Sequence, residues 1–303
     1  MVSAIKESKG DKLFLVLVYL FLAAALIVVL YPLIYMISAS ISTPKFVNSG
    51  EMWLLPKGLT LEGYKLVFDN AKIWSGYRNT IFYTVVGTVI NLAVTLPAAY
   101  ALSRSDFYGR NLFMILILIT MFFSGGLVPT YLVVKNLGLV DSMWALILPV
   151  SASVWNIIVA RTFFQSTIPK ELQEAAHIDG CTNLRLFVRI VLPLSAPIIA
   201  VMALFYGVGH WNSYFSALIY LNKESLFPLQ MVLRQILVLQ QMGAEMNGAV
   251  LSGEVASLAA SKAEIASLVK YAVIIVSTLP IIVVYPFLQR YFVQGVMIGS
   301  VKG

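Results

Sequence analysis

The chain has 303 residues, of which 59% are hydrophobic and only 12% charged. An ordinary soluble protein carries about twice that charged fraction, so the composition excludes a soluble globular enzyme and points to an integral membrane protein built as one bundle. The net charge of +7 suits lysines and arginines at lipid headgroups and carries no nucleic-acid meaning, while the single Cys181 excludes an internal disulfide and a multi-cysteine metal site.

Residues 1–12 form a polar head with Lys6, Lys9 and Lys12. The first predicted span, 13–37, has no charge. It is too long for a signal peptide and no small-residue cleavage site follows, so it is expected to stay as a span. A hydrophilic connector, 38–79, contains Trp53 and Trp74, residues suited to a membrane interface, and a predicted surface helix at 61–70. The second span is 80–102, followed by a tight turn bracketed by Arg104 and Arg110. The third, 112–134, is interrupted at Ser124-Gly125-Gly126 and Pro129, which predicts a kink. A polar turn at Asp141 leads to the fourth span, 143–160, and Arg161.

A short polar stretch follows. Residues 171–179 read as a helix: Pro169 suits its approach, and Glu171 and Glu174 lie near its start, where the helix dipole favours acid. Gly180 supplies the left-handed residue that ends it, and Thr182 is a fair N-cap for a second helix. Ala175 and Ala176 are expected to leave one side flat enough for another surface to approach. The product is a helix–glycine–helix elbow projecting from the bilayer. The fifth span, 195–221, follows. A long connector, 222–269, holds an apolar segment at 228–239 that suits the interface, then a small, polar segment at 242–263 expected to be mobile. The sixth span is 271–288, with a tail from 289.

Six spans put both termini on one side. Eleven of the 21 Lys and Arg fall on the side of the termini and the elbow and ten on the other. The first side has fewer loop residues, and its short loops agree, which places termini and elbow in the cytoplasm. No Asp, Glu, Lys or Arg lies well inside any predicted span, whereas gradient-driven carriers commonly need such groups. There is no phosphate-binding loop of the Gly-x-x-x-x-Gly-Lys-Ser/Thr type either. By these signs the chain draws on neither gradient nor nucleotide by itself.

The elbow has a recognisable spacing: Glu174-Ala175-Ala176, three residues, Gly180, nine residues, Ile190, one residue, Leu192-Pro193. This resembles the cytoplasmic EAA loop of ABC importer membrane subunits. The surrounding residues (Ile178-Asp179-Gly180-Cys181 and Pro193 to Pro197) resemble the carbohydrate-uptake branch, similar to the smaller permease of the maltose type. The ending from Tyr285 to Gly303 resembles its oligosaccharide and polysaccharide-fragment subgroup. The resemblance runs from about Tyr77 to the end.

It implies an all-α integral membrane bundle, the type I ABC importer fold, with six transmembrane helices and a cytoplasmic coupling-helix loop. The expected division is 1–79 (head, first span, outer connector), 80–288 (permease core with coupling loop 165–194) and 289–303 (cytoplasmic tail). Glu171, Glu174, Ala175, Ala176, Asp179, Gly180, Ile190, Leu192 and Pro193 would couple to a partner ATPase, and 299–303 would add a second contact. The implied location is a bacterial cytoplasmic membrane. The implied partners are a second, non-identical permease, two ATP-binding cassette subunits, an extracytoplasmic solute-binding protein received by the outer connectors, and an oligosaccharide, the subgroup leaning toward larger ones that include acidic, uronic-acid fragments. The chain itself would bind no cofactor, ATP and Mg being held by the ATPase, and no metal.

Polar residues inside spans are costly in lipid and should face the bundle interior; for most, interhelical hydrogen bonding is explanation enough. The cluster His210, Trp211, Asn212 and Tyr214 is the first candidate for lining the solute path, since Trp and Tyr stack on sugar rings and Asn takes hydroxyls. Trp155 and Asn156 are a second. An ABC permease for a non-sugar solute and a stand-alone secondary carrier are the alternatives.

Overall fold

The computed structural model describes residues 8–248, 269–287 and 289. In chain order the helices are α1 (Lys9–Ser40), α2 (Pro44–Asn48), α3 (Glu62–Phe68), α4 (Ala71–Ser103), α5 (Arg110–Phe122), α6 (Leu127–Asn136), α7 (Trp144–Ile147) and α8 (Val154–Thr167). Then come α9 (Lys170–Ile178), α10 (Asn183–Leu186), α11 (Leu192–Leu194), α12 (Ala196–Trp211), α13 (Phe215–Tyr220), α14 (Leu229–Gly248) and α15 (Val269–Phe287). Among the described residues the only β pairing is an isolated bridge between Ser42 and Leu59.

Three helices, α1, α4 and α15, are long and apolar enough to cross a membrane. Three bent pairs complete six if each counts as one span: α5 with α6, α7 with α8, and the Asn183–Leu194 segment with α12. The described residues form two compact units, one from 8–70, 236–248 and 269–278, the other from 71–235, 279–287 and 289.

In the first unit α1 opens with a capping box: Ser8 Oγ accepts from the Asp11 N–H (3.1 Å) and Asp11 Oδ2 accepts from the Ser8 N–H (3.0 Å). Its 32 residues span about 48 Å. Almost all its apolar side chains are exposed, and only Ser38, Ala39 and Ser40 are buried, as suits a helix bathed in lipid. A small core of Ala39, Val47 and Met52 closes its end.

The second unit is built around α4, which packs against α8 and α12. One apolar core joins all three: Leu96, Ala99 and Tyr100 from α4, Ile157, Ala160 and Phe164 from α8, Ile198, Met202 and Tyr206 from α12. Buried helix breaks must find partners for their freed backbone groups, and here they come from distant side chains. The break at residues 151–153 bends the fourth span by 50°. Asn91 Nδ2 donates to Val150 O (2.6 Å), and the Ser153 N–H donates to Tyr206 Oη (3.2 Å), which is 2.7 Å from Thr95 Oγ1.

The structure corrects several expectations. The third span is not kinked but turned, its halves bent by 113° at residues 123–126, with Gly126 at φ +85°. α4 starts nine residues before the predicted second span, and α8 runs to Thr167. The predicted fifth span is divided at Asn212, where α12 stops. In the apolar segment at 228–239, Leu229, Met231, Val232 and Leu233 are buried, and a Cβ on Gly76 would stand 3.1 Å from Leu229 Cα, so the glycine permits close helix contact. Asp141, at φ +59°, ties the turn after α6 to the segment after α13: its Oδ1 accepts from the Asn222 and Lys223 N–H groups (2.5 and 3.1 Å). Those bonds, the Asn222 N–H foremost, hold its carboxyl below the usual carboxylate range.

Candidate functional site

The elbow forms at α9 and α10. Pro169 is the N-cap of α9, Glu171 sits in its first turn, and Asp179 is the C-cap. Gly180, at φ +71°, lets the chain leave in a Schellman arrangement: its N–H donates to His177 O (3.0 Å) and the Cys181 N–H donates to Ala176 O (2.8 Å). Thr182 caps α10, its Oγ1 accepting from the Arg185 N–H (3.4 Å). The local signals and the structure agree here, because each is carried by neighbours in sequence.

The two alanines part company. Ala176 is 6% exposed and belongs to the main core together with Leu186, Phe187 and Val191, whereas Ala175 faces outward. Phe187 stacks on Tyr100 (5.2 Å between ring centroids), and Phe164 meets the same ring edge-on (5.7 Å). The elbow is therefore bolted to α4 and α8. Its outward face carries Glu171, Glu174, Ala175 and Ile178, the i, i+3, i+4, i+7 stripe of one helix side. Ile178 is 87% exposed and Leu184 on α10 is 73% exposed. In sequence Ile178 stands only as part of the resemblance and neither residue has a docking role, although apolar residues on a polar elbow are a readable signal.

Beyond α10 the chain makes a π-turn at Phe187–Val191, passes through α11, and bends by 82° into α12. Pro193 and Pro197 each lack an N–H, which explains the irregular hydrogen bonding. Ser195, fully buried, repairs the bend by donating its Oγ to Val191 O (2.6 Å). Ile190 and Leu192 are half-buried against the main core and Pro193 is exposed.

The far end of α12 borders a cavity of about 310 Å³, lined by His210, Asn212, Ser213, Tyr214, Tyr206 and Val150 among others. That lies in the range of small-molecule sites, roughly 300–1,000 Å³. Among the described residues the Ser213 hydroxyl is buried with no hydrogen-bond partner, the condition of a group open to a ligand or water. Arg234 on α14 stands over the Tyr214 ring, 5.1 Å from its centroid. His210 is a structural link as well: its Nε2 donates to Asn91 Oδ1 (2.6 Å), and the same asparagine holds the Val150 carbonyl.

Trp211 is buried on a different side, near Tyr77 (6.3 Å), and borders a larger cavity of about 390 Å³ with Thr84, Thr88 and Pro280. That space is almost wholly apolar and offers little to sugar hydroxyls; the smaller, polar cavity fits the expected solute better. Of the second candidate pair, Asn156 is buried and Trp155 exposed, and neither borders the polar cavity. The expected tail contact at 299–303 lies outside the described residues, as does much of the 242–263 segment.

The described residues thus hold an elbow packed into one end of the bundle and a polar cavity beside a broken helix toward the other. The chain belongs to the family of binding-protein-dependent transport system inner membrane components, whose family model matches residues 73–298. It is 44% identical over 297 residues to protein LplC of Bacillus subtilis, covering 98% of this chain and 97% of that one. It is 41% identical to the polygalacturonan/rhamnogalacturonan transport system permease protein YtcP of the same organism, covering 97% and 99%. Among solved structures it resembles a chain of a bacterial ABC transporter involved in the import of the acidic polysaccharide alginate, with TM-score 0.84, 33% identity, and 95% of this chain and all of that one covered. The fold is that of a type I importer permease. The protein is a non-catalytic, multi-pass subunit that works with an ATPase, a second permease and a solute-binding protein.

Proposed function

We propose that this chain is one of two different permeases in an ATP-driven importer of acidic oligosaccharides, with its termini and elbow in the cytoplasm. Two ATPase subunits bind and hydrolyse ATP with Mg. The outward face of α9 docks in a groove of one of them, and the 82° bend carries its displacement into α12. The observation that carries this reading is the division of α9: one side built into the core of α4, α8 and α12, the other leaving Glu171, Glu174, Ala175 and Ile178 exposed among the described residues. A second observation supports an acidic cargo. Tyr214 offers a stacking face, Asn212 and Ser213 offer polar groups, and Arg234 adds a cation whose planar fork suits carboxylates. Among the described residues no carboxylate is paired with Arg234. The polygalacturonan/rhamnogalacturonan and alginate importers to which the chain is similar handle acidic polymers by their names.

The test is reconstitution. The chain with its partner permease, ATPases and binding protein is expected to take up oligogalacturonate only with ATP, and the chain alone to move nothing; gradient-driven uptake by the chain alone would contradict this. Replacing Arg234 with glutamine is expected to lower oligogalacturonate uptake about tenfold, a change of about 1.4 kcal/mol, and to leave any uptake of neutral oligosaccharides intact. Equal losses for both would remove Arg234 from the reading of charge.

A further inference from the structure

We infer that Arg104 is a positioning residue that latches the coupling helix α9 to the end of α4, and that the latch sets how much solute moves per ATP. This rests on the lever reading of the elbow and names the element that holds the lever's angle.

Arg104 follows the last residue of α4 and is 8% exposed, unusual for an arginine at a helix end. Its donors are shared among three partners. Nε donates to Asp106 Oδ1 (2.7 Å) and Nη2 to Asp106 Oδ2, a bidentate pair. Nη1 donates to Tyr100 Oη (3.2 Å), and the guanidinium lies 5.8 Å from the Tyr100 ring centroid. The remaining contact is the informative one: Nη2 is 3.3 Å from His177 Nε2, on α9. Arginine only donates, so His177 Nε2 accepts and its proton sits on Nδ1. The surrounding turn is braced in the same way, with Arg110 Nη1 donating to Arg104 O (3.0 Å) and Arg161 Nε donating to Leu102 O (3.0 Å).

The apolar contacts of the elbow tolerate small rotations, because dispersion has little directionality. The Arg104–His177 bond has direction and joins α9 to the α4 terminus at one point. Tyr100 takes part in both sets: it stacks on Phe187 from the elbow and accepts from Arg104. A tilt of α9 imposed from outside therefore reaches α4 through the guanidinium as well as through the core. Asp106 keeps the guanidinium oriented, and the pairing in turn holds its carboxyl below the usual carboxylate range, the Arg104 hydrogen bond being the main cause. A depressed carboxylate stabilises the fold above its unfolded pKa, about 3.9, and loses this only as pH falls through the lower folded value. The Arg104–Asp106 pair is thus set at neutral pH.

The experiment uses the whole complex in proteoliposomes with its binding protein, measuring oligogalacturonate taken up per ATP hydrolysed. Arg104→Met is expected to lower that ratio at least fivefold while the ATPase still co-purifies at the wild-type proportion. His177→Leu is expected to do the same, with no burden on folding because His177 is exposed. His177→Gln, whose Oε1 can accept the same N–H, is expected to recover most of the ratio. The double variant Arg104→Met/His177→Leu should be no worse than Arg104→Met. An unchanged ratio in both single variants, or losses that multiply in the double one, would overturn the latch. Glu174→Lys in the same assay separates the two levels: if it leaves uptake normal, the lever reading itself has failed; if it stops uptake while the latch variants do not affect the ratio, only the latch has.

Discussion

Replacing Glu174 with lysine is expected to cut ATP-driven uptake at least tenfold while the complex stays inserted. Glu174 is exposed on α9 and makes no hydrogen bond or ion pair among the described residues. Lysine and glutamate have similar helix propensity, and exposed substitutions of this kind change stability by about 0.5 kcal/mol or less. The chain loses little of its own by the exchange, at most a favourable charge near the start of α9. A large functional loss therefore has to come from a partner surface, where reversing a charge sets like against like at a cost of several kcal/mol. Ile178→Asp should behave alike, since an 87% exposed isoleucine at the end of that face, beside the turn, suits a docking anchor. Uptake and ATP hydrolysis by the reconstituted complex check both; normal uptake with either variant would detach the elbow from energy transfer. Gly180→Asp and Gly180→Val separate two further effects. Among the described residues no atom lies within 4 Å of a Cβ at Gly180, so the first side-chain atom meets no neighbour in either variant. A left-handed residue other than glycine costs about 1–2 kcal/mol, least for Asp and Asn. Valine thus tests the turn, and aspartate mainly the docking surface.

Gly87→Val is expected to have the largest effect on folding. A Cβ at Gly87 would stand 2.4 Å from His210 Nε2 and 2.5 Å from its Cε1. The ring cannot swing aside freely, because it is buried and held by Asn91, which also holds the carbonyl at the fourth-span break. Overpacking costs about 1–3 kcal/mol, and stranding the Val150 carbonyl about 1–3 more. The expected outcome is loss of most assembled complex from the membrane and a lower melting temperature. Gly209→Ala is the control, since nothing lies within 4 Å of that Cβ. Removing the ring in Gly87→Val/His210→Ala should restore part of the stability. Wild-type stability in Gly87→Val alone would mean that α4 and α12 do not meet at this glycine.

What sequence could and could not say follows from range. The elbow was legible because Pro169, Gly180 and Thr182 act on the backbone within a few residues. The turn at 123–126 was legible as an interruption but not as a 113° bend, since glycines permit an angle without choosing it. The break at 151–153 was hidden because its partners, Asn91, Thr95 and Tyr206, lie more than fifty residues away. Arg104 read as a loop charge for the same reason, its partner being 73 residues on. In sequence the cluster at 210–214 reads as one lining, yet adjacent residues on a helix point about 100° apart. His210 therefore borders the polar cavity while Trp211 borders the apolar one.

The central claim is that the elbow is the surface another polypeptide grips from the cytoplasm. It is tested most directly by placing a single cysteine at Asp179, exposed beside the docking face, in a Cys181→Ser background, and cross-linking the assembled complex in sealed membranes. The account predicts a cross-link to the ATPase subunit whose yield changes with ATP. Labelling of that cysteine by an impermeant thiol reagent from the outer side, with no cross-link to the ATPase, would contradict it.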